Sequence, residues 1–330
     1  MRVLQIGLGS MGKRRIRNLQ FLGHHGIVGF DIREDRRKEA SDLYGVTVIN
    51  SFDKVDWNSI THVIVSTPPD QHVEYALISL NYGKHVFIEA SVVDAGYEEL
   101  IELASTSDCL LAPSCTMRFD PLNIELKQWI DEQRIGELLF SQHHFGLYLP
   151  KWHPYELIED FYVSKRHTGA AREIVPFDMV YLIWLLGEPT SIKGTRVMTG
   201  VLDADIDDIY ALTYRTNNCN LVQMTIDVVS QIPYRTTRIV GEKGNVELDT
   251  VKGTLSLFDA IKGTWEHHTR FELAETKSTE EMYVRELHCF IKASQGEGIY
   301  PYTIQDDQKI LGYLYAAEKA DVSGSMEILK

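Results

Sequence analysis

The sequence predicts an α/β protein in two parts: a doubly wound parallel sheet, then an α/β domain with an open, mostly antiparallel sheet. Three observations carry this expectation. Short apolar runs alternate with helix-length segments from Val3 to Ala112. A Gly-rich loop stands at the first strand–helix turn. From Ile192 to Phe271 the rhythm changes to short strands separated by polar and Gly turns, such as Thr216-Asn217-Asn218 and Gly241-Glu242-Lys243-Gly244.

The elements follow in order. Val3–Ile6 is a short apolar run ending at Gly7, the pattern of a parallel strand buried on both faces. A helix is expected over Met11–Leu22, with Ile16 and Leu19 facing inward. Ile27–Phe30 reads as a second strand ending at Asp31, and Glu34–Tyr44 as a second helix. Strands at Val46–Ile49, His62–Val65, His85–Ile88 and Cys109–Ala112 alternate with helices at Gln71–Leu80 and Ala95–Ala104. Beyond Pro121 a helix over Leu122–Glu132 leads to a strand at Leu138–Phe145. The apolar run Tyr181–Leu186 reads as a buried helix, and helices at Thr279–Ser294 and Ile304–Ala320 close the chain. The expected domains are residues 1–120 and 121–330, meeting near residue 120.

Composition limits the function classes. The 330 residues are 44% hydrophobic with a formal net charge of −14, a pI near 5.3 and a mean hydropathy of −0.17. An acidic surface argues against nucleic acid or anionic lipid as a partner, because both require a basic face. The N-terminus lacks the long apolar stretch of a signal peptide, and no apolar run reaches the length of a membrane span. Cys109, Cys115, Cys219 and Cys289 form no C-x-x-C pair and read as reduced thiols of a cytoplasmic protein, with Cys115 packed as a small hydrophobe. No metal site is expected. His143 and His144 are adjacent on a strand, and alternation sends their rings to opposite faces.

The loop Gly7-Leu8-Gly9-Ser10-Met11-Gly12 has the spacing G-x-G-x-x-G between a strand and a helix. In that context Gly7 permits the tight turn, Gly9 lets a pyrophosphate approach the backbone, and Gly12 permits close helix packing. The helix start adds free N–H groups for phosphate. Asp31, at the end of the second strand and followed by Ile32 and Arg33, is placed to accept the ribose hydroxyls. A carboxylate there repels a 2′-phosphate and favours NAD over NADP, while a nearby Arg33 weakens that preference. The first domain is therefore expected to be a Rossmann domain that binds NAD.

Later segments add a family resemblance. Ser66-Thr67-Pro68-Pro69-Asp70-Gln71-His72, Gly83-Lys84-His85-Val86-Phe87-Ile88-Glu89, Arg118-Phe119-Asp120-Pro121, Trp184-Leu185-Leu186-Gly187-Glu188-Pro189 and Val240-Gly241-Glu242-Lys243-Gly244 resemble, in order, the glucose-fructose oxidoreductase / inositol dehydrogenase / MocA (Gfo/Idh/MocA) family. The resemblance implies NAD(P) and hydride transfer at a sugar or cyclitol carbon. It also implies a homodimer or homotetramer assembled through the second-domain sheet. By motif position, Ser66, Thr67, Pro68 and His72 line the cofactor, Glu89 lies near the nicotinamide ribose, and Arg118 lies near the nicotinamide or substrate.

Two positions depart from the family pattern. The Glu-Lys-Pro lysine is replaced in Glu89-Ala90-Ser91, and the histidine seven residues before Trp184 is replaced by Phe177. Oxidising an alcohol requires a base within hydrogen-bond reach of its hydroxyl. Asp178, Lys165 and His167 are the expected replacements, with Arg172, Glu173, Tyr162, Tyr148 and His153 as further candidates. Arg118, Trp152, Tyr162 and Arg172 are the expected substrate contacts. The aromatic segment Trp152, Tyr155, Phe161, Tyr162 suits stacking on sugar C–H faces or a hydrophobic cover. Three functions remain open at this point. One is NAD-dependent oxidation or reduction of a sugar, sugar derivative or cyclitol. The second is reduction of C=N or C=C, or chemistry that recycles NAD on the same fold. The third is a non-catalytic NAD- or sugar-binding sensor or scaffold.

Overall fold

The computed structural model describes residues 1–152, 157–160, 162–275 and 280–329. The chain divides into two compact units, Met1–Thr116 with Met282–Gln308, and Met117–Glu281 with Lys309–Lys330.

The first unit begins with β1 (Val3–Ile6), α1 (Ser10–Phe21), β2 (Ile27–Phe30), α2 (Glu34–Tyr44), β3 (Thr47–Ile49), β4 (His62–Val65), α3 (His72–Asn81), β5 (His85–Ile88), α4 (Tyr97–Thr106) and β6 (Leu111–Pro113). Every residue of β1, β2 and β4 is buried, which explains why these strands read as unbroken apolar runs and not as alternating ones. All pairings are parallel, in the order β3-β2-β1-β4-β5-β6. Chain order reverses between β1 and β4, so the Gly-rich loop lies at the switch point where such sheets bind ligands.

The second unit contains α5 (Pro121–Asp131), β7 (Leu138–Tyr148), α6 (Leu149–Trp152), α7 (Ala170–Leu186), β8 (Pro189–Val197), β9 (Ile209–Thr216), β10 (Val222–Asp227), β11 (Val229–Gly241), β12 (Gly244–Asp249), β13 (Thr254–Asp259), β14 (Thr264–Thr269) and α8 (Arg270–Leu273). Then come α9 (Glu281–Ser294), α10 (Ile304–Ser323) and β15 (Glu327–Ile328). The nine strands form one sheet in the order β14-β13-β12-β11-β7-β10-β9-β8-β15. Only β7 and β10 pair in parallel among these neighbours, so the sheet is mixed and mostly antiparallel. Along β7, Ser141, His143 and Phe145 are buried while Gln142 is exposed, the alternation expected of a strand with one covered face.

α5 starts where Asp120 accepts the Leu122 N–H at 2.9 Å and Pro121 presets the first turn. α7 is buried along most of its length, consistent with the apolar run read from its sequence. α9 supplies Leu287 and Phe290 to the first unit's core, where Phe290 packs 5.6 Å from Phe87 of β5. Among the described residues no helix is long and apolar enough to cross a membrane, and all four cysteines are free.

Candidate active site

The Gly-rich loop is shaped by contacts that exclude side chains. Gly7 has φ +83°, and a Cβ there would sit 2.4 Å from the Ser66 carbonyl oxygen. A Cβ on Gly12 would sit 1.9 Å from the Gly7 carbonyl oxygen. Gly9 caps α1 with no side-chain hydrogen bond, and no acidic residue occupies the first turn, so Ser10 and Met11 begin a helix whose positive end is not offset locally. Asp31 is 5% exposed. Its Oδ2 accepts the Leu8 N–H at 2.8 Å and its Oδ1 accepts the Arg33 N–H at 2.9 Å, which fixes the carboxylate beside the loop. Ile32 is 79% exposed. The buried Thr67 Oγ1 has no hydrogen-bond partner among the described residues. A glycine cradle, an uncompensated helix start, a fixed carboxylate and an unused hydroxyl fit a dinucleotide.

Behind the loop lies a charged core that the sequence did not reveal. Arg15, fully buried, donates from Nε and Nη2 to the two oxygens of Glu89 at 2.7 and 2.8 Å. Its Nη2 is also 2.9 Å from Glu286 Oε2 on α9. Burial opposes the Arg15 charge, but Glu89 and Glu286 outweigh it and hold the guanidinium protonated. Ser66 donates to Glu89 at 3.1 Å. His72 is held neutral by burial; its Nε2 lies 2.9 Å from the Thr67 carbonyl oxygen, which can only accept. That assigns the proton to Nε2 and leaves Nδ1 to accept the Ser91 hydroxyl at 2.9 Å. Pro68, Thr67 and His72 thus form one braced turn ahead of α3, with Ser91 bonded to the histidine.

In the second unit the polar groups gather on α7. Glu173, in the first turn, lies 2.9 Å through each oxygen from the Tyr162 hydroxyl. Burial pushes the Glu173 carboxyl up to about 7, against the opposing effect of the Tyr162 hydrogen bond. Asp178 points elsewhere. It is wholly buried, its Oδ2 is 2.9 Å from His143 Nε2, and its Oδ1 is 3.3 Å from Arg235 Nη2. His143 also meets the Thr237 hydroxyl at 2.9 Å. The Arg235 guanidinium stacks on Phe145 and lies 5.4 Å from the centre of the Phe177 ring. Helix geometry explains the split: Glu173 and Phe177 are four residues apart and share a face, while Asp178 is turned about 100° further round. His144 lies on the other side of β7, bonded to Asp227 at 2.9 Å, so the two histidine rings do separate.

The remaining expected residues are spread through the second unit. Lys165 and His167 are exposed on the turn before α7. Arg172 is bound to Glu318 on α10 at 2.6 Å and donates to the His167 carbonyl oxygen at 2.7 Å. Arg118 donates to the Val180 carbonyl oxygen at 3.0 Å. Trp152 ends α6, partly exposed; Tyr148 ends β7 beneath the Lys151 ammonium. His153, Tyr155 and Phe161 lie outside the described residues. Arg235 was not anticipated; its cross-strand register with Phe145 is visible only once β11 is paired with β7.

A six-stranded dinucleotide-binding unit joined to a unit built on a large, mostly antiparallel sheet is the plan of an NAD-dependent oxidoreductase. Residues 1–113 match the oxidoreductase family, NAD-binding Rossmann fold, and residues 124–247 match the GFO/IDH/MocA C-terminal domain. The chain belongs to the Gfo/Idh/MocA oxidoreductase family. It is similar to inositol 2-dehydrogenase 2 of Saccharopolyspora erythraea, at 27% identity over 286 residues, covering 80% of this chain and 77% of that protein. Its fold resembles levoglucosan dehydrogenase in complex with NADH and levoglucosan (TM-score 0.87, 16% identity, 100% and 99% of the two chains). It also resembles an NAD binding oxidoreductase from Klebsiella pneumoniae (TM-score 0.85, 14% identity, 100% and 99%).

Proposed function

We propose that this chain is an NAD-dependent dehydrogenase of a sugar, sugar derivative or cyclitol, and that Glu173 handles the proton. The observation that carries the reading is a half-buried carboxyl in the first turn of α7, 2.9 Å from the Tyr162 hydroxyl, whose pKa burial pushes up to about 7. A base is most effective when its pKa is close to the working pH. In the oxidative direction the alcohol C–H bond breaks and its electron pair leaves as hydride; the hydroxyl proton passes to the Glu173 carboxylate, and the carbon becomes a carbonyl. NAD, when bound, supplies the hydride acceptor. Reduction runs the same balance backwards, with protonated Glu173 as the acid. Asp178 serves this site indirectly: its charge is matched by Arg235 and its other oxygen is taken by His143. The inositol 2-dehydrogenase relative supports the substrate class.

In this reading Gly7 to Gly12 hold the pyrophosphate, Asp31 receives the adenosine ribose and favours NAD over NADP, and Thr67 gives its spare hydroxyl to the cofactor. Tyr162 orients Glu173, while Arg118 and Trp152 border the substrate. The protein is assigned to the cytoplasm as a homodimer or homotetramer. The outward sheet face carries Arg238 and Lys252 beside Glu247 and Asp249, a mixed-charge surface suited to two-fold pairing.

The test is NADH formation from NAD and a panel of cyclitols, aldoses and sugar acids, repeated with Glu173→Gln. The substitution should lower kcat by about 10²–10⁴-fold with little change in NAD affinity. Wild-type turnover by the variant removes Glu173 from the mechanism. NAD binding without turnover on any substrate favours the scaffold reading instead.

A further inference from the structure

We infer that the substrate of this protein carries a carboxylate, and that Arg235 on β11 binds it. The inference rests on the dehydrogenase reading proposed above and narrows its substrate class to sugar acids.

From Ala170 to Ile183, α7 is buried at every residue except Glu173 and Phe177. These two stand one turn apart on one face, so this strip is where α7 can meet a ligand. Arg235 reaches the strip from the sheet. It is in cross-strand register with Phe145 of β7, and its guanidinium lies 4.5 Å from the centre of the Phe145 ring and 5.4 Å from that of Phe177. Its side chain is 15% exposed, while Asp178, against its other side, is wholly buried. Arg235 therefore meets α7 one turn on from Glu173, across the Phe177 ring.

The donors of this guanidinium are poorly matched within the chain. Nη2 lies 3.3 Å from Asp178 Oδ1, yet that oxygen accepts no hydrogen bond among the described residues. Nη1 donates to Met117 Sδ at 3.4 Å, a weak acceptor, and Nε is buried with no hydrogen-bond partner among the described residues. A charged group drawn between two rings with its donors unmatched is destabilising. Arg15 shows the satisfied arrangement: it is held between two carboxylates, Glu89 and Glu286, by contacts of 2.7, 2.8 and 2.9 Å. Arg235 has one carboxylate, and its exposed part is left for a second. Arg172, the nearby alternative, is engaged by Glu318, and Lys165 and His167 stand in solvent on the turn before α7. A planar carboxylate accepts two parallel N–H bonds from a guanidinium, which a single hydroxyl cannot do. A sugar ring laid with its C–H face on Phe177 would bring a hydroxyl to Glu173 and an acid group to Arg235.

The experiment is initial-rate NADH formation by the full-length protein on matched neutral and acidic sugars, aldohexoses and N-acetylhexosamines against the corresponding uronates and aldonates. Wild type should favour the acid of a pair by about tenfold or more in kcat/KM. Arg235→Met should lower that acid-to-neutral ratio by about 10–100-fold, the loss of a charge-assisted pair of hydrogen bonds, and the loss should fall on KM for the acid more than on kcat. Arg235→Lys keeps a cation beside Asp178 and loses only the fork, so it should lower the ratio by less. Circular dichroism checks folding; if Arg235→Met leaves Asp178 too exposed a charge to fold, Asp178→Asn is added to it. A wild type that uses neutral sugars as well as acids overturns the inference and leaves the dehydrogenase reading standing. So does a ratio that neither substitution moves, or an equal loss on both sugars. NAD binding with no turnover of either class overturns the dehydrogenase reading, and the inference falls with it.

Discussion

Tyr162→Phe removes the phenol that holds Glu173, so it tests the proton-handling assignment without deleting the carboxylate. The Glu173 pKa stands at about 7 because burial raises it further than the hydrogen bond lowers it. A hydrogen bond to a charged group contributes about 1.5–3 kcal/mol. Here one phenolic proton is shared between two oxygens at 2.9 Å, and Glu173 is only partly buried, so water replaces part of what is lost. The lower end applies, and about 1.4 kcal/mol is one pKa unit. The variant should therefore shift the acidic limb of kcat/KM for the oxidation upward by about one unit. Its rate should fall about tenfold well below that limb and match wild type well above it. The assay is initial-rate NADH formation across the pH range at saturating NAD. Stability gives an independent check on sign. Glu173's folded pKa is raised above 4.5, so its contribution is fully present below about 4.5 and is lost as pH rises through about 7. Glu173→Gln should lack that loss, and Tyr162→Phe should extend it to higher pH. An acidic limb that stays put, or moves down, refutes the assignment.

Two further substitutions probe the first unit. Arg15→Met leaves Glu89 and Glu286 without their shared cation and should cost about 3–5 kcal/mol in chemical denaturation; adding Glu89→Gln and Glu286→Gln should restore most of it. A loss below about 1 kcal/mol for the single variant would mean the carboxylates find other compensation. His62, buried at the start of β4 beside His85, has its pKa pushed down to about 4 by burial. Its contribution is present above about 6.5 and is lost as pH falls from there towards 4. His62→Asn should flatten that loss, and equal acid sensitivity in the variant would count against the account.

The first unit was largely legible in the sequence because its signals are local. The G-x-G-x-x-G loop, the buried four-residue strands and the acid after β2 each follow from backbone sterics within a few residues. The handedness of βαβ crossovers then fixes which face of the sheet each helix covers, while the order β3-β2-β1-β4-β5-β6 rests on pairings far apart in the chain. α7 was legible as a buried helix, and the separation of His143 from His144 follows from strand alternation. The proton-handling residue was harder to read. Glu173 was one candidate among several, because a pKa near 7 comes from burial, and burial depends on packing that no short window contains. The spacing of Glu173 to Phe177 was the available signal: the two lie on one helical face, and the more conspicuous Asp178 lies off it. Arg15's partners were hidden by distance along the chain, since Glu89 is 74 residues away and Glu286 much farther.

The return of α9 to the first unit has a consequence for how the protein is made. The cofactor unit is not finished when its last strand, β6, leaves the ribosome. Glu286, Leu287 and Phe290 arrive only after strands β7 to β14 have been synthesised, about 170 residues after Thr116. At about 5–20 residues per second that delay is roughly 9–34 s. During it Arg15 has Glu89 but not Glu286, and the apolar surface that α9 covers stays open. The nascent chain therefore spends its synthesis with a nearly complete sheet lacking its closing helix, the interval in which chaperones would find it. For the same reason a fragment ending at β6 should behave as a sticky folding intermediate, and a separable cofactor module would need residues 282–308 joined back to it.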